Sequence, residues 1–204
     1  MYFSLLINSG EKKRFSVYRM ESPLACSFAV VHLNSKRTPN AEDYRTIDIQ
    51  LIKEKLLIAE KKYEDKKSFV VGDLNENVFE EHLIRSHGFN VRYFKCMMKK
   101  GTDKKRDIEE DLFYSPLLQE YRDRSEEQLG KGTYYYEDDP IGWLCYDQVL
   151  MKKQVMDLYK PDSFRILHSL SPSISLVANN KPRLEYSDHL PIQFELCYKE
   201  DQHE

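Results

Sequence analysis

Two rhythms of apolar residues alternate along the chain. Runs at 3–7, 14–20 and 27–33 have the length and alternation of β-strands and read as a short meander, with Asn8, Ser9 and Gly10 marking its first turn. From 41 to 63 the spacing changes. Tyr44, Ile47, Leu51 and Ile58 recur at helical intervals with Glu and Lys opposite, which predicts a helix with that face packed on a sheet. Residues 68–72 read as a short, mostly apolar strand, 78–86 as a second helix closed by Gly88 in a left-handed cap, and 144–151, 164–167 and 192–198 as further strands. Strand-like and helical runs in alternation predict a layered α/β architecture. Residues 99–131 break the pattern. Dense in Lys, Arg, Asp and Glu, with a short helix at 116–121 started by Ser115 and Pro116, they read as a charged, solvated insertion, with a substrate-facing lid as the alternative.

Composition narrows this picture. At 204 residues and 41% hydrophobic, the chain suits one domain, 1–204, with a sizeable core. A formal charge of −3 supplies no overall basic field, so any attraction to nucleic acid must be local. No apolar run approaches membrane-spanning length and the first residues lack the pattern of a signal peptide, which points to a cytoplasmic protein with no membrane partner. Cys26, Cys96, Cys145 and Cys197 show no metal-binding spacing. With Cys26 and Cys197 inside apolar runs, buried free thiols in a reducing compartment are expected.

The candidate chemistry lies in four runs: Val30-Val31-His32-Leu33-Asn34-Ser35, Val70-Val71-Gly72-Asp73-Leu74-Asn75, Tyr146-Asp147-Gln148-Val149-Leu150 and Ser187-Asp188-His189-Leu190-Pro191. Each sets an ionisable side chain beside a strand-like run, where a rigid scaffold can hold it at the rim of a sheet. Asp73 and Asn75, two apart at a strand end, suit orienting a water and donating to a phosphate oxygen, although a local Asx turn would use the same residues.

In this order the runs resemble the endonuclease/exonuclease/phosphatase superfamily, metal-dependent phosphoesterases with the fold of deoxyribonuclease I. Gly132-Thr133-Tyr134-Tyr135-Tyr136, followed by Trp143 and Asp147, is similar to the Gly-Thr-Tyr segment before that family's penultimate catalytic strand, and the resemblance covers 15–196. It implies a sandwich of two mainly antiparallel or mixed sheets flanked by helices, and hydrolysis of phosphodiesters, of nucleic acid above all. A small-molecule or phosphoinositide phosphatase is the nearest rival. By resemblance Asp73 is the base that activates water, Asn75 a phosphate contact, and Asp188 the carboxylate beside Mg²⁺, with Mn²⁺ as an alternative. His189 then donates to the phosphate or acts as acid and base, supported by Asp147 within hydrogen-bond reach, about 2.6–3.2 Å. His32 matches a second catalytic histidine, and Tyr135 is the candidate to stack on a base, although strand alternation alone explains three tyrosines. Arg45 is expected to cap or pair locally, with reach to a phosphate as the alternative. His82, His87, His168 and His203 match no motif and read as surface or boundary residues.

One departure stands against the match. Family members begin with two further strands, the first ending in Asn and the second carrying a metal-binding Glu, and only 31 residues precede His32 here. Glu11 and Glu21 lie in turn-like contexts. The expectation is a fold truncated at its N-terminus, with low or no activity for the 204-residue chain, a homo-oligomer through the open N-terminal edge, and a catalytically incomplete binding domain as the competing function. Glu76, beside Asn75, is the candidate substitute for the missing carboxylate.

Overall fold

The computed structural model describes residues 3–8, 14–100, 102–103, 108–109, 111–121 and 132–197. Strands β1 (Phe3–Asn8), β2 (Phe15–Met20) and β3 (Cys26–His32) form the expected antiparallel meander. Helix α1 (Ala41–Lys62) then crosses over, and β4 (Ser68–Asp73) returns parallel to β3. Three later strands, β5 (Val91–Arg92), β6 (Phe113–Tyr114) and β7 (Asp147–Met151), complete one mixed sheet in the order β1-β2-β3-β4-β7-β6-β5. Side chains alternate across it. Val17, Ala29, Val31, Val70 and Leu150 pack on one face against Ile49, Ile52 and Leu56 of α1. Phe69, Val149 and Met151 pack on the other against Trp143, Phe164, Ile166, Leu176 and Leu190. The α/β class and the layering are those expected. The second layer is built from two-stranded ladders, among them Tyr134–Tyr135 with Trp143–Leu144 and Arg165–Ile166 with Ile192–Gln193.

Several expectations need correcting. On α1 it is Arg45, Ile49, Ile52, Leu56 and Ala59 that turn inward, whereas Tyr44, Ile47, Leu51 and Ile58 are exposed, Ile47 by 54%. Both stripes have helical spacing, so the period alone does not choose between them. The second helix is a single turn, Glu81–Ile84, because Phe79, with φ 65°, breaks the helical path just before it. Gly88 is no left-handed cap. It is required because a Cβ there would lie 1.9 Å from the carbonyl oxygen of His82. The 144–151 strand is interrupted: the Cys145 N–H donates to Asn77 Oδ1 (3.0 Å) and the Tyr146 carbonyl accepts from Leu74 N–H (2.9 Å). The 116–121 helix is the 3₁₀ turn Leu117–Tyr121, with Ser115 Oγ accepting the Leu117 N–H. Much of 99–131, the turn at Ser9 and Gly10, Glu11 and His203 lie outside the described residues. Cys26 and Cys145 are buried, in no disulfide among the described residues, but Cys96 and Cys197 are exposed. No helix among the described residues is long and apolar enough to cross a membrane.

Candidate active site

Register brings three of the motif residues into one row. In the parallel ladder His32 pairs with Asp73, and in the antiparallel ladder Asp73 pairs with Asp147. β3 and β4 both leave the sheet at this end and β7 begins there, so three chain segments far apart in sequence present their polar residues side by side. Gly72 makes the close approach feasible. Its φ is +133° and a Cβ on it would lie 2.2 Å from the Val31 carbonyl oxygen, so a side chain would push Asp73 away from His32. The His32 Nε2 stands 3.4 Å from Asp73 Oδ2, with the imidazole largely exposed.

His189 joins this row from the second layer. Its Nδ1 lies 2.7 Å from Asp147 Oδ2, and since a carboxylate only accepts, Nδ1 carries the proton and Nε2 is the nitrogen open to a substrate. The Gly-Thr-Tyr segment holds both partners. Thr133 is fully buried; its Oγ1 accepts the Asp147 N–H (3.0 Å), and its carbonyl accepts the Leu190 N–H (2.7 Å). Tyr134 bridges His189 along the backbone, and its ring lies between that of His189 (4.8 Å) and that of Tyr146 (5.4 Å). Burial works against a charged His189, but the Asp147 hydrogen bond and charge, helped by Asp73 and Asp188, prevail and hold the imidazole above its usual pKa.

Asp73 is fixed by Asn75. The Asn75 backbone N–H donates to Oδ1 (2.8 Å), and its side-chain amide donates to Oδ2 (2.9 Å) and to the Leu33 carbonyl (3.0 Å). Asn75 has φ 49° and is buried. The amide protons expected to meet a phosphate are therefore engaged inside the fold in an Asx-type turn, which aims Asp73. Burial raises the Asp73 pKa; the Asn75 N–H opposes this and the neighbouring Asp147 charge adds to it. A carboxylate with a raised pKa is the stronger base.

Beneath the row lies a buried polar group that no sequence motif announces. Arg45 Nη1 donates to the Asn34 carbonyl (3.0 Å), and its Nε lies 2.6 Å from Glu76 Oε1. His82 Nδ1 is 2.9 Å from the same oxygen, its Nε2 is 3.0 Å from Thr46 Oγ1, and Gln148 Nε2 donates to the Glu76 carbonyl (3.1 Å). One arginine thus ties together the ends of β3 and β4. Arg45 pairs not locally but with Glu76, far along the chain. Burial and a hydrogen bond with Glu80 raise the Glu76 pKa, while Arg45 opposes them. An arginine in helical register with Ile49, Ile52 and Leu56 was the available signal.

One further expectation lands differently. Tyr135 turns to the other side of its strand, edge-on to Trp143 (5.4 Å) in the apolar layer; Tyr134 is the ring at His189. Asp188 is exposed beside His189. Among the described residues no three His, Cys, Asp or Glu side chains are placed to hold a metal ion. The donor set at Asp188 fits Mg²⁺ only as an ion that keeps most of its waters.

No protein-family model matches the sequence, and no curated protein matches it. Among solved structures the chain is similar to truncated TDP2 from Caenorhabditis elegans at 12% identity, covering 94% of this chain and 63% of that one, with a TM-score of 0.47. It is also similar to the 3′–5′ exonuclease NExo from Neisseria meningitidis (14% identity, 97% and 70% covered, TM-score 0.44) and to the 3′ phosphatase NExo from Neisseria bound to a product DNA hairpin (14%, 96% and 69%, TM-score 0.41). The chain thus spans less than two thirds of the TDP2 structure.

Proposed function

We propose that the chain is a phosphoesterase of endonuclease/exonuclease/phosphatase type that hydrolyses phosphodiesters, with nucleic acid as its substrate class. The observation that carries the reading is the Asp147–His189 pair at 2.7 Å, set in one row with Asp73. Such hydrolysis needs a deprotonated water, charge neutralisation at the phosphoryl oxygens and help for the leaving oxygen. Asp73, held by Asn75 and raised in pKa, takes the proton of the attacking water. His189, charged and oriented by Asp147, donates from Nε2 to a phosphoryl or leaving oxygen. His32, 3.4 Å from Asp73, offers a second donor on the exposed side. Mg²⁺ held through Asp188, water and substrate oxygens would neutralise charge on the phosphoryl group.

The test is turnover of bis(4-nitrophenyl) phosphate and of an oligonucleotide in Mg²⁺. Asp73→Asn and His189→Ala are each expected to lower kcat by about 10²–10⁴, and exposed His87→Ala to leave it unchanged. An Asp73→Asn variant working at the wild-type rate would overturn the assignment. One observation favours a second reading, a domain that binds phosphoesters without turnover: the Asn75 amide is locked into the fold. Oligonucleotide binding with no turnover by the wild type would select it.

A further inference from the structure

Arg37 carries a positive charge beside this site that no carboxylate among the described residues takes up. It sits five residues past His32, in the turn closed by the Thr38 N–H donating to the Ser35 carbonyl (2.9 Å), just where β3 leaves the sheet beside the Asp73 row. Neighbouring Lys36 is engaged by Glu80 and lies 5.6 Å from the Tyr146 ring centre. Arg37 is exposed, its guanidinium carbon stands 4.8 Å from the centre of the Tyr136 ring, and no carboxylate pairs with it among the described residues. Tyr136 extends the Tyr134–Tyr135 strand, its N–H donating to Gly142 (2.7 Å), so it lies on the same side as Tyr134. Tyr134 is the ring on which His189 packs. Tyr136 lies two residues, about 6.6 Å of strand, along from Tyr134, so the guanidinium is anchored on the ring next but one to the ring that packs on the proposed acid. Of the acids after Tyr136, Glu137 holds Lys181 (2.8 Å) and Asp139 accepts the Ile141 N–H (2.8 Å); Asp138 alone is unpaired among the described residues.

We infer that Arg37, steadied on Tyr136, contacts a phosphate next to the scissile one, so that the site takes a single-stranded nucleic acid rather than an isolated small phosphoester. The inference rests on the phosphoesterase reading above. A guanidinium presents a planar fork that matches two phosphate oxygens, and stacking on an aromatic ring orders it before the ligand arrives. The half-buried Tyr136 adds a face for a base, which any unpaired nucleotide can use. On a chain of net charge −3, attraction to a polyanion has to come from such a point.

Binding of a labelled single-stranded oligonucleotide in EDTA, over a range of salt, tests the contact without turnover. Arg37→Ala is expected to weaken binding about tenfold and to make the fall of log K with log salt shallower by about 0.7. Arg37→Lys should keep the slope and lose part of the affinity, and Arg85→Ala, on an exposed Arg paired with Glu81 (3.8 Å), should bind as wild type. In turnover, kcat/KM on the oligonucleotide relative to bis(4-nitrophenyl) phosphate should drop about tenfold in Arg37→Ala, the share of one charged phosphate contact. Wild-type affinity and slope in Arg37→Ala, no oligonucleotide binding by the wild type, or equal losses on both substrates would each overturn the inference. Arg37-dependent binding with no turnover of either substrate would support the contact and sink the phosphoesterase reading instead.

Discussion

At the scale of single residues, Thr133 decides how firmly the proposed acid is held. Its hydroxyl is the partner of the Asp147 N–H and its carbonyl that of Leu190. Thr133→Val keeps the shape but strands the Asp147 N–H in a dry site, so it should cost about 1–3 kcal/mol in urea unfolding, whereas Thr133→Ser should cost far less. Arg45 is the harsher case. Arg45→Met removes the guanidinium from a buried polar group and leaves Glu76 facing only His82 of the two groups at its Oε1, which should cost about 3–5 kcal/mol. The cysteines separate by burial. Burial pushes the Cys26 thiol up to about 11, with Arg19 opposing it, so at pH 8 a thiol reagent should titrate exposed Cys96 and Cys197 at once and reach Cys26 and Cys145 only on unfolding. Fast reaction of all four would show that the layer around Cys26 opens readily. Asp147 and His189 were legible as a pair because each sits in a motif of its own and the family resemblance sets the two motifs together. Thr133 as their clamp was not, since it depends on Leu190 coming alongside, a contact that no local pattern encodes.

Among the elements, α1 shows where sequence patterns stop short. Its extent was readable to within a residue, with Glu42 and Asp43 in the first turn and Lys61 and Lys62 in the last, as the helix dipole favours. Its inward face was not readable, because two stripes share the helical period and the buried one contains an arginine. The exposed Tyr44, Ile47, Leu51 and Ile58 make the wrong stripe the more apolar of the two. The consequence is measurable. Leu56→Ala, which empties a fully buried position between α1 and the sheet, should cost about 2–5 kcal/mol, while Ile47→Lys should shift stability by no more than about 0.5 kcal/mol. The reverse ranking, read from denaturant midpoints, would mean that α1 is rotated on the sheet. The strands were legible in their cores and not at their ends. At 144–151 the break comes from Asn77 and Leu74, residues some 70 positions earlier, capturing the backbone of Cys145 and Tyr146.

For the molecule as a whole, the seven-stranded sheet ends differently on its two sides. On one side is β5, two residues long, a length that offers little to a passing strand. On the other is β1, six residues long, paired only with β2 among the described residues, with Leu5 exposed by 55%. No described residue pairs with its outer backbone groups, and nothing in its length, charge or proline content discourages pairing. A second copy offers a complementary row by two-fold symmetry, since an edge strand can pair antiparallel with itself. The 204-residue chain should therefore associate, with light scattering showing a mass that rises with concentration toward a dimer. Leu5→Lys, which sets a charge on the edge without touching the core, should hold it monomeric at the same concentration and leave the unfolding midpoint of the monomer unchanged. A wild-type chain that stays monomeric at high concentration would show the edge to be protected. Association that survives Leu5→Lys would place the interface elsewhere, with the exposed apolar stripe of α1 the first surface to substitute.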